Sequence, residues 1–306
     1  MADPTPEELP QALVNAIYTI FGDHHARAVH AKGILLEGAF VPDPRAGELC
    51  RAPLFAAGLV PTLIRFSNTT GIPTLPDPLP DASPHGLGLK FRVPGHPEVD
   101  AVAHSFAGFP ARNPAEFLRF LLAAAASGAE VPSPKPIEKF VSEHPAALAY
   151  VTQQKGPPAS FATLTYYGVN AFQFTNASGV AVFVRSRFVP RAGEQLLDAA
   201  AVATRGPNYL HDEIAARLAQ APAVLDWWVQ VAEAGDAVDD PTAAWPETRK
   251  LVRLGAVEAH SVIVDQKKAD RTSSFSPGRL QDGMAPADPM IRVRDAAYEL
   301  SFRRRQ

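Results

Sequence analysis

RAVHAKGILLEGAFV occupies residues 27–41, and its second half predicts the kind of element that dominates the chain. Residues 33–41 form a short apolar segment bounded by glycine and proline, which is typical of a β-strand. Residues 63–67 and 88–93 follow the same pattern. His30 stands just before the first of these strands. A side chain suited to acid–base chemistry is therefore expected at the mouth of a rigid sheet.

Helix and strand signals alternate irregularly along the rest of the chain. Helix starts are predicted by a capping box at Thr5–Glu8, by a second capping signal at Asn113–Glu116 and by Asp288 before Pro289. The remaining predicted elements are helices at 133–142 and 210–218, a hairpin of strands 172–174 and 180–189 turning at 176–179, and strands at 224–234 and 257–264.

This order of elements decides between fold classes. It is not a regular βαβ alternation, so a doubly wound parallel sheet is disfavoured. Many short strands would leave exposed edges, and closing the sheet on itself removes them. The sequence predicts an α+β fold in which a closed antiparallel β-barrel core carries flanking α-helices.

The composition fits a globular protein, and the length fits one large domain with helical additions as well as two domains. The chain has 306 residues, 30 prolines, a single cysteine and a formal net charge of −3. The prolines favour turns over a helical bundle, Cys50 alone cannot form an intrachain disulfide, and the charge gives no reason to expect a nucleic-acid partner. We expect one domain over 1–306, with a short helical arm at 1–26 and a final helix at 288–306.

The sequence as printed shows neither a signal peptide nor a membrane span. No segment reaches the roughly 20 apolar residues that a membrane span needs. Residues 1–10 have neither the basic region nor the apolar run of a signal peptide. The expectation is a cytoplasmic protein without a membrane partner, or a periplasmic one if a leader was removed.

Two segments near the N-terminus carry candidate chemistry. A neutral imidazole at His30 can accept and return a proton near pH 7, although a hydrogen-bonded core histidine would look the same. Arg65 lies inside an apolar strand, which is costly unless it meets an anion. That anion is either a carboxylate of this chain or a bound ligand. Ser67 could hydrogen-bond a neighbouring imidazole.

The last predicted helix contains a third candidate. Arg294 and Tyr298 are four residues apart, so they share a helix face. A cation beside a phenol favours the phenolate, which is a hard anionic ligand suited to ferric iron. An arginine and a tyrosine at this spacing are also common without any function. The basic residues Lys267, Lys268 and Arg271 are interpreted as a solvated loop.

Taken together, these segments resemble the haem catalase superfamily. The segments that carry the resemblance are Val29–Gly33 with Arg27 before it, Arg65–Ser67, Gly86–Phe91, Tyr167–Gly179, Asp240–Pro246 and the R-x-x-x-Y pattern of Arg294–Tyr298. They span about residues 15–306 in the family's order. The length and the segment Ala103–Pro110 resemble the short branch of catalase-related, or catalase-family, peroxidases. Each motif is weak alone, and the ordered set is specific.

The resemblance implies a ferric haem, of the b type, and a role for each matching residue. Tyr298 would be the axial iron ligand and Arg294 would pair with its oxygen. His30 would move a proton between the two peroxide oxygens, Ser67 would orient its ring, and Val29 would narrow the distal channel. The residues implied to contact the haem are Arg27, Arg65 and Arg305 at the propionates, and Phe109.

The sequence departs from the family at one implied position. Catalases carry a distal asparagine in a G-N-N-T-P segment, and His104 or Ser105 stands there in this chain. Catalase turnover needs a second peroxide to be oriented as reductant, so the departure implies weak dismutation. The expected function is a haem peroxidase that reduces hydrogen peroxide or organic hydroperoxides with small organic donors.

Three alternatives stay open. The first is a hydroperoxide isomerase or dehydratase on the same haem scaffold, and the second is a non-enzymatic haem-binding protein. The third is a barrel that binds another apolar ligand. Since the family's interlocking N-terminal arms do not fit a short arm, the resemblance implies a homodimer or a monomer.

Overall fold

The structure is a computed structural model that describes residues 4–306. Its strands are β1 (Gly33–Pro42), β2 (Val60–Ser67), β3 (Gly86–Phe91), β4 (Val99–His104), β5 (Tyr166–Tyr167), β6 (Phe172–Thr175), β7 (Ala181–Pro190), β8 (Ala223–Val231), β9 (Leu251–Val262) and β10 (Met284–Pro286). Its helices are α1 (Leu9–Phe21), α2 (Ala46–Leu49), α3 (Pro53–Ala56), α4 (Pro114–Ala125), α5 (Pro136–Glu143), α6 (Pro145–Thr152), α7 (Ala199–Ala203), α8 (Tyr209–Leu218), α9 (Gln266–Thr272) and α10 (Met290–Arg304).

Eight of these strands form a closed antiparallel barrel. The hydrogen-bonded order runs β7-β5-β4-β3-β2-β1-β9-β8, and β8 pairs back onto β7 to complete the ring. β5 and β6 share one edge of β7 in succession, and β10 extends the sheet beyond β6. This confirms the α+β class with a closed antiparallel barrel.

Alternating side chains separate the barrel's interior from its outer face. Along β2, Ile64 and Phe66 belong to the barrel core, whereas Arg65 and Ser67 face outward. Aromatic rings fill the middle of that core, where Phe91 stacks on Trp227 with ring centroids 5.3 Å apart. The polar residues of β2 therefore reach a space outside the barrel.

Helices cover this outer face. α1 packs against α4 and α10 and forms a second apolar cluster around Leu13, Ile17 and Leu118. The predicted cap at Asn113 is present, because its side chain accepts from the Glu116 N–H over 2.9 Å. At the first predicted helix start the Thr5 N–H donates to the Glu8 carboxylate over 3.0 Å, but α1 begins at Leu9, with Glu8 as its N-cap, rather than directly after Thr5. Within residues 4–306, none of the helices has the length and apolarity to cross a membrane.

Some elements differ from the sequence-based expectations. β9 begins at Leu251, six residues before the predicted strand at 257, because a bulge near Trp227 lets it continue along β8. The basic segment expected to be a loop is helix α9, whose N-cap is Asp265. The final helix begins at Met290 rather than at 288, although the Asp288 carboxylate accepts from the Met290 N–H.

Candidate active site

A cavity lies between the barrel's outer face and helices α1 and α10. Its volume is about 230 Å³, whereas one water requires roughly 10–15 Å³. All ten residues proposed from the sequence line it: Arg27, Val29, His30, Arg65, Ser67, His104, Phe109, Arg294, Tyr298 and Arg305. The structure thus assembles the set in one place, and the role of each member stays a prediction.

His30 is held in a defined orientation and tautomer. Its backbone has a φ of 56°, in the left-handed region that a non-glycine residue rarely adopts, and its N–H donates to the Thr69 carbonyl over 2.9 Å. Its ring Nδ1 lies 3.0 Å from the Asn68 carbonyl and 3.1 Å from the Ser67 hydroxyl. A carbonyl only accepts, so Nδ1 carries the hydrogen and Nε2 is the basic nitrogen.

Burial keeps this imidazole neutral. Burial first, and then the positive charges of Arg65, Arg294 and Arg27, lower the pKa of His30 to about 3, against a smaller opposing effect of the Asn68 carbonyl. His30 is therefore a neutral proton acceptor throughout the physiological pH range.

A buried polar network lies behind the His30 ring. The Asn68 side chain donates to the Asp77 carboxylate over 2.8 Å, and its oxygen lies 3.1 Å from His85 Nδ1. Lys32 Nζ forms an ion pair with Asp77 over 2.7 Å, and both side chains are buried. Buried charges are stable only when they are paired. The paired network therefore holds the backbone of Asn68 in place, and the Asn68 carbonyl holds the His30 ring.

His104 presents the complementary nitrogen to the same cavity. Its Nδ1 accepts from the Phe106 N–H over 3.4 Å, which leaves Nε2 as the protonated nitrogen. That Nε2 is buried and has no hydrogen-bond partner among the described residues. Burial, with Arg294 and His30, lowers the pKa of His104 to about 3. His104 therefore offers a hydrogen-bond donor where His30 offers an acceptor.

The structure distinguishes His104 from its neighbour Ser105. The Ser105 hydroxyl accepts from the His85 N–H over 2.9 Å, and the residue is buried away from the cavity lining. Of the two residues considered for the distal asparagine position, only His104 faces the cavity.

The phenol on α10 belongs to a chain of hydrogen bonds. The Arg294 guanidinium donates to the Tyr298 oxygen from Nη2 over 2.7 Å and from Nε over 3.3 Å. Arg294 Nη1 also donates to the Asn170 side-chain oxygen, and the Asn170 amide donates to the Asp288 carboxylate over 2.7 Å. Asp288 is buried, and burial raises its pKa. Asn170 and Asp288 therefore set the position of the guanidinium that polarises the phenol.

Three guanidinium groups meet at the other end of the cavity. Arg27 and Arg65 each place Nε 3.0 Å from one oxygen of Asp270, and Arg305 Nη1 lies 3.4 Å from the other oxygen. Asp270 is a partner that sequence reasoning missed, because it sits in the segment interpreted as a solvated loop. The prediction that Arg65 meets an anion is confirmed by this carboxylate.

Two glycines of β3 make room for the side chains around the cavity. A Cβ atom at Gly86 would lie 2.6 Å from His30 Nδ1 and 2.7 Å from the Ser67 hydroxyl oxygen. A Cβ atom at Gly88 would come within 3.0 Å of the Phe275 ring. The outer face of β3 is therefore bare at the two positions where larger residues would displace these groups.

A family model described as catalase matches residues 24–306. The chain belongs to the catalase family. This confirms the resemblance inferred from the ordered motifs and the prediction that the chain is an enzyme of that family.

Within the catalase family, the chain is similar to short members. It is 31% identical to a catalase-related peroxidase of Synechococcus elongatus over 97% of this chain and 88% of that protein. It is 35% identical to a catalase-related peroxidase of Mycolicibacterium paratuberculosis over 91% of this chain and 88% of that protein.

Solved structures show the same fold. A fungal catalase and catalase A from Saccharomyces cerevisiae each superpose with a TM-score of 0.80, at 21% and 20% identity, and each covers 92% of this chain. The chain spans about three-fifths of the length of these solved catalases, 59% and 61% respectively. At this identity the likeness concerns the fold of the catalase core.

The donor set of this cavity fits the haem that the catalase family implies. Apolar residues line most of it, among them Val102, Phe117 and Phe275. A phenol supported by a guanidinium suits ferric iron, and three guanidiniums suit two propionate carboxylates. The unpartnered Nε2 of His104 suits a polar ligand inside the cavity. Among the described residues, no cluster of three histidine, cysteine or acidic side chains offers a separate metal site.

Proposed function

We propose that this catalase-family chain is a haem peroxidase with weak catalase activity. In this proposal Tyr298 would hold the iron of a ferric haem b, and Arg27, Arg65 and Arg305 would bind its propionates. Hydrogen peroxide or an organic hydroperoxide is reduced, and small organic molecules donate the electrons. The two relatives to which the chain is 31% and 35% identical are named catalase-related peroxidases, which supports this choice within the family.

One observation carries the proposal. The cavity has two walls with different chemistry: α10 supplies the Arg294–Tyr298 pair, whereas the barrel side supplies His30 and His104. A planar cofactor between such walls would have an anionic oxygen ligand on one side and proton-transfer groups on the other. If the groups of either wall had only a structural role, they would not need the groups of the opposite wall.

Bound haem would supply the iron at which the peroxide O–O bond is broken. His30 Nε2 accepts the proton of the hydroperoxide and returns it to the oxygen that leaves, because the Nδ1 hydrogen bond fixes the tautomer. The His104 Nε2–H donates a hydrogen bond to a peroxide oxygen and so holds it beside His30. Phe109 and Val29 exclude water from this side of the cavity.

The nature of the distal donor underlies the choice of peroxidase over catalase. Catalases use an asparagine at the position where this chain has His104, and dismutation requires a second peroxide to be oriented there as reductant. An imidazole is larger and has only one N–H donor in this tautomer. We therefore propose that organic donors, rather than a second peroxide, supply most of the electrons.

The optical spectrum of the purified protein tests the ligand assignment. The wild type should show a ferric Soret band, and Tyr298→Phe should lose haem coordination and retain less than about a tenth of the haem, since a metal site depends on its ligand. Tyr209→Phe is the control, because its hydroxyl donates to the Pro158 carbonyl over 2.7 Å outside the cavity. Unchanged haem coordination in Tyr298→Phe would refute the assignment.

The reaction class needs a second assay on the same preparation. Oxygen release from hydrogen peroxide is compared with oxidation of an aromatic donor, and the proposal requires donor oxidation to be faster. Product analysis with a fatty hydroperoxide, with and without donor, separates reduction from isomerisation or dehydration. A haem spectrum without any peroxide-driven turnover would instead indicate a haem-binding protein.

A further inference from the structure

Asp270 bridges the three arginines that face the cavity. One carboxylate oxygen lies 3.0 Å from both Arg27 Nε and Arg65 Nε, and the other lies 3.4 Å from Arg305 Nη1. Three side chains from distant parts of the chain thus share one anion. Its exposed fraction is 32%, whereas those of Arg65 and Arg305 are 5% and 4%, so the cluster is covered on most sides.

Backbone carbonyls at the same helix end complete these contacts. Arg27 Nη2 donates to the Ser273 carbonyl over 2.9 Å, and Arg305 Nη2 donates to that carbonyl over 2.5 Å. The Asp270 carbonyl accepts from Arg27 and from Arg305 as well. The C-terminal end of a helix carries partial negative charge, which favours cations there. The last turn of α9 therefore binds the guanidiniums with several oxygens at once.

The arginine cluster has two faces. Arg27, Arg65 and Arg305 line the cavity. Among the described residues, Asp270 does not line it. Asp270 instead lines a shallow outer hollow, together with Lys267 and Arg271. The carboxylate consequently contacts the guanidiniums from the solvent side and leaves their cavity side accessible.

The charges of the cluster match the ligand that the proposed function requires. Three guanidiniums and one carboxylate leave two net positive charges, and a haem carries two propionate carboxylates. Without Asp270 the three cations would repel each other at close range. Burial, then Arg27, lowers the pKa of Arg65 to about 9 despite the opposing effect of Asp270, so Arg65 remains charged near neutral pH.

We propose that Asp270 is a positioning residue that holds Arg27, Arg65 and Arg305 in the geometry that binds the haem propionates. This inference rests on the proposed function, because it assumes that haem occupies the cavity. The opposite possibility is that Asp270 competes with the propionates for the same guanidiniums. The two make opposite predictions, since removing a support weakens haem binding and removing a competitor strengthens it.

The experiment compares variants of the haem-loaded protein. In Asp270→Asn the rate of haem transfer to an excess of a haem scavenger should rise about tenfold, the lower end of the effect seen when the outer partners of metal ligands are removed. The ferric–ferrous midpoint potential should also rise, because losing a negative charge beside the propionate-binding arginines favours the more reduced state. Asp270→Glu keeps the charge and should restore both values most of the way.

Asp265→Asn is the matched control. It makes the same chemical change on the same helix, and asparagine keeps the cap because the present side chain accepts from the Lys268 N–H over 3.0 Å. Its haem transfer rate and potential should equal those of the wild type. An equal acceleration in Asp265→Asn would assign the effect to helix stability and overturn the proposal.

The remaining outcomes are also decisive. Haem transfer that is unchanged or slower in Asp270→Asn overturns the positioning role. A wild-type protein that takes up no haem refutes the proposed function, and the inference falls with it. A wild type that holds haem through Tyr298 while Asp270→Asn behaves identically refutes only the inference.

Discussion

At the scale of single residues, the site combines two imidazoles with opposite hydrogen-bonding states. The Asn68 carbonyl makes His30 Nε2 an acceptor, and the Phe106 N–H makes His104 Nε2 a donor. Both rings are neutral near neutral pH, because the pKa values of His30 and His104 are lowered to about 3. Each ring therefore keeps its tautomer there. A peroxide molecule, which both donates and accepts, is complementary to such a pair.

Replacing the acceptor should slow the reaction with peroxide without removing haem. In His30→Gln we expect the second-order rate constant with hydrogen peroxide to fall by about 10²–10⁴, the usual contribution of general acid–base catalysis. The wild-type rate should stay flat from pH 8 to about pH 5, since His30 is already neutral there. Stopped-flow spectroscopy measures both, and a wild-type rate that falls with a midpoint near pH 6.5 would contradict the lowered pKa.

Replacing the donor tests His104 separately. His104→Leu should reduce peroxide-driven donor oxidation about five- to tenfold, because one hydrogen bond contributes about 1 kcal/mol. His104→Asn keeps an N–H donor and should retain most of that rate, while its ratio of oxygen release to donor oxidation increases. Steady-state assays of both activities check this, and equal losses in the two variants would argue against a donor role.

The sequence predicted these residues to different degrees. His30, Arg65 and Tyr298 sit in motifs with a family order, so their type and spacing identified them. Asp270 and Asn170 were missed in these roles because their partners lie far away in the chain, Arg27 being 243 residues from Asp270 and Arg294 being 124 from Asn170. No local pattern records a contact over that separation, and the charge of a lone aspartate does not show which cation it meets.

At the scale of elements, β3 shows how a strand makes space for chemistry. Gly86 and Gly88 alternate with core residues Leu87 and Leu89, so the outer face of the strand carries no side chain at either position. Glycine destabilises a strand, so two glycines at outward positions indicate that other groups approach the strand closely there. The bare surface lets the His30 ring lie against the sheet.

A methyl group on this strand should therefore affect the reaction more than the fold. In Gly86→Ala the added Cβ would meet His30 Nδ1 at 2.6 Å, so the ring must move and break its hydrogen bonds. We expect a loss of about tenfold or more in the rate with peroxide, while the Soret band stays. Gly47→Ala is the control, because nothing lies within 4 Å of the new Cβ. Rapid-mixing kinetics on both variants would contradict the prediction if their rates were equal.

Element prediction succeeded where the chain has strong local signals. The hairpin of β6 and β7 and the capped helix α4 follow from turn and cap residues near the element itself. β5 has only two residues, and it exists because its neighbours on both sides offer hydrogen bonds. The sequence predicted a solvated loop in place of α9 because the segment is rich in basic residues. The contacts between the last turn of this helix and the buried arginines come from distant parts of the chain, so no local pattern shows them.

At the scale of the whole molecule, three neutral histidines couple stability to pH. The pKa values of His30 and His104 are lowered to about 3 and that of His85 to about 4, mainly by burial. In the unfolded chain each binds a proton near pH 6.5. Between pH 6.5 and about 4 the unfolded state therefore holds more protons, and the free energy of unfolding decreases as the pH falls.

This coupling gives a measurable slope in the haem-free protein. Each histidine contributes up to about 1.4 kcal/mol per pH unit, so the three together approach about 4 kcal/mol per unit near pH 5. His85→Gln should reduce the slope by about a third without changing its sign. Urea unfolding between pH 7 and pH 5 measures it, and a stability that rose on acidification would contradict the neutral state of these rings.

The closure of the barrel has a consequence for how the protein is made. β1 pairs with β9, so the strand that follows His30 can complete its pairing only after a segment more than 200 residues later in the chain has been made. During translation, at about 5–20 residues per second, the free edge of β1 stays unpaired on that side for tens of seconds or less. Tyr298 and Arg305 emerge from the ribosome later still. Under the proposed function, haem capture at this site therefore requires residues 298–305 to have been made, and cofactor supply cannot guide the early steps of folding.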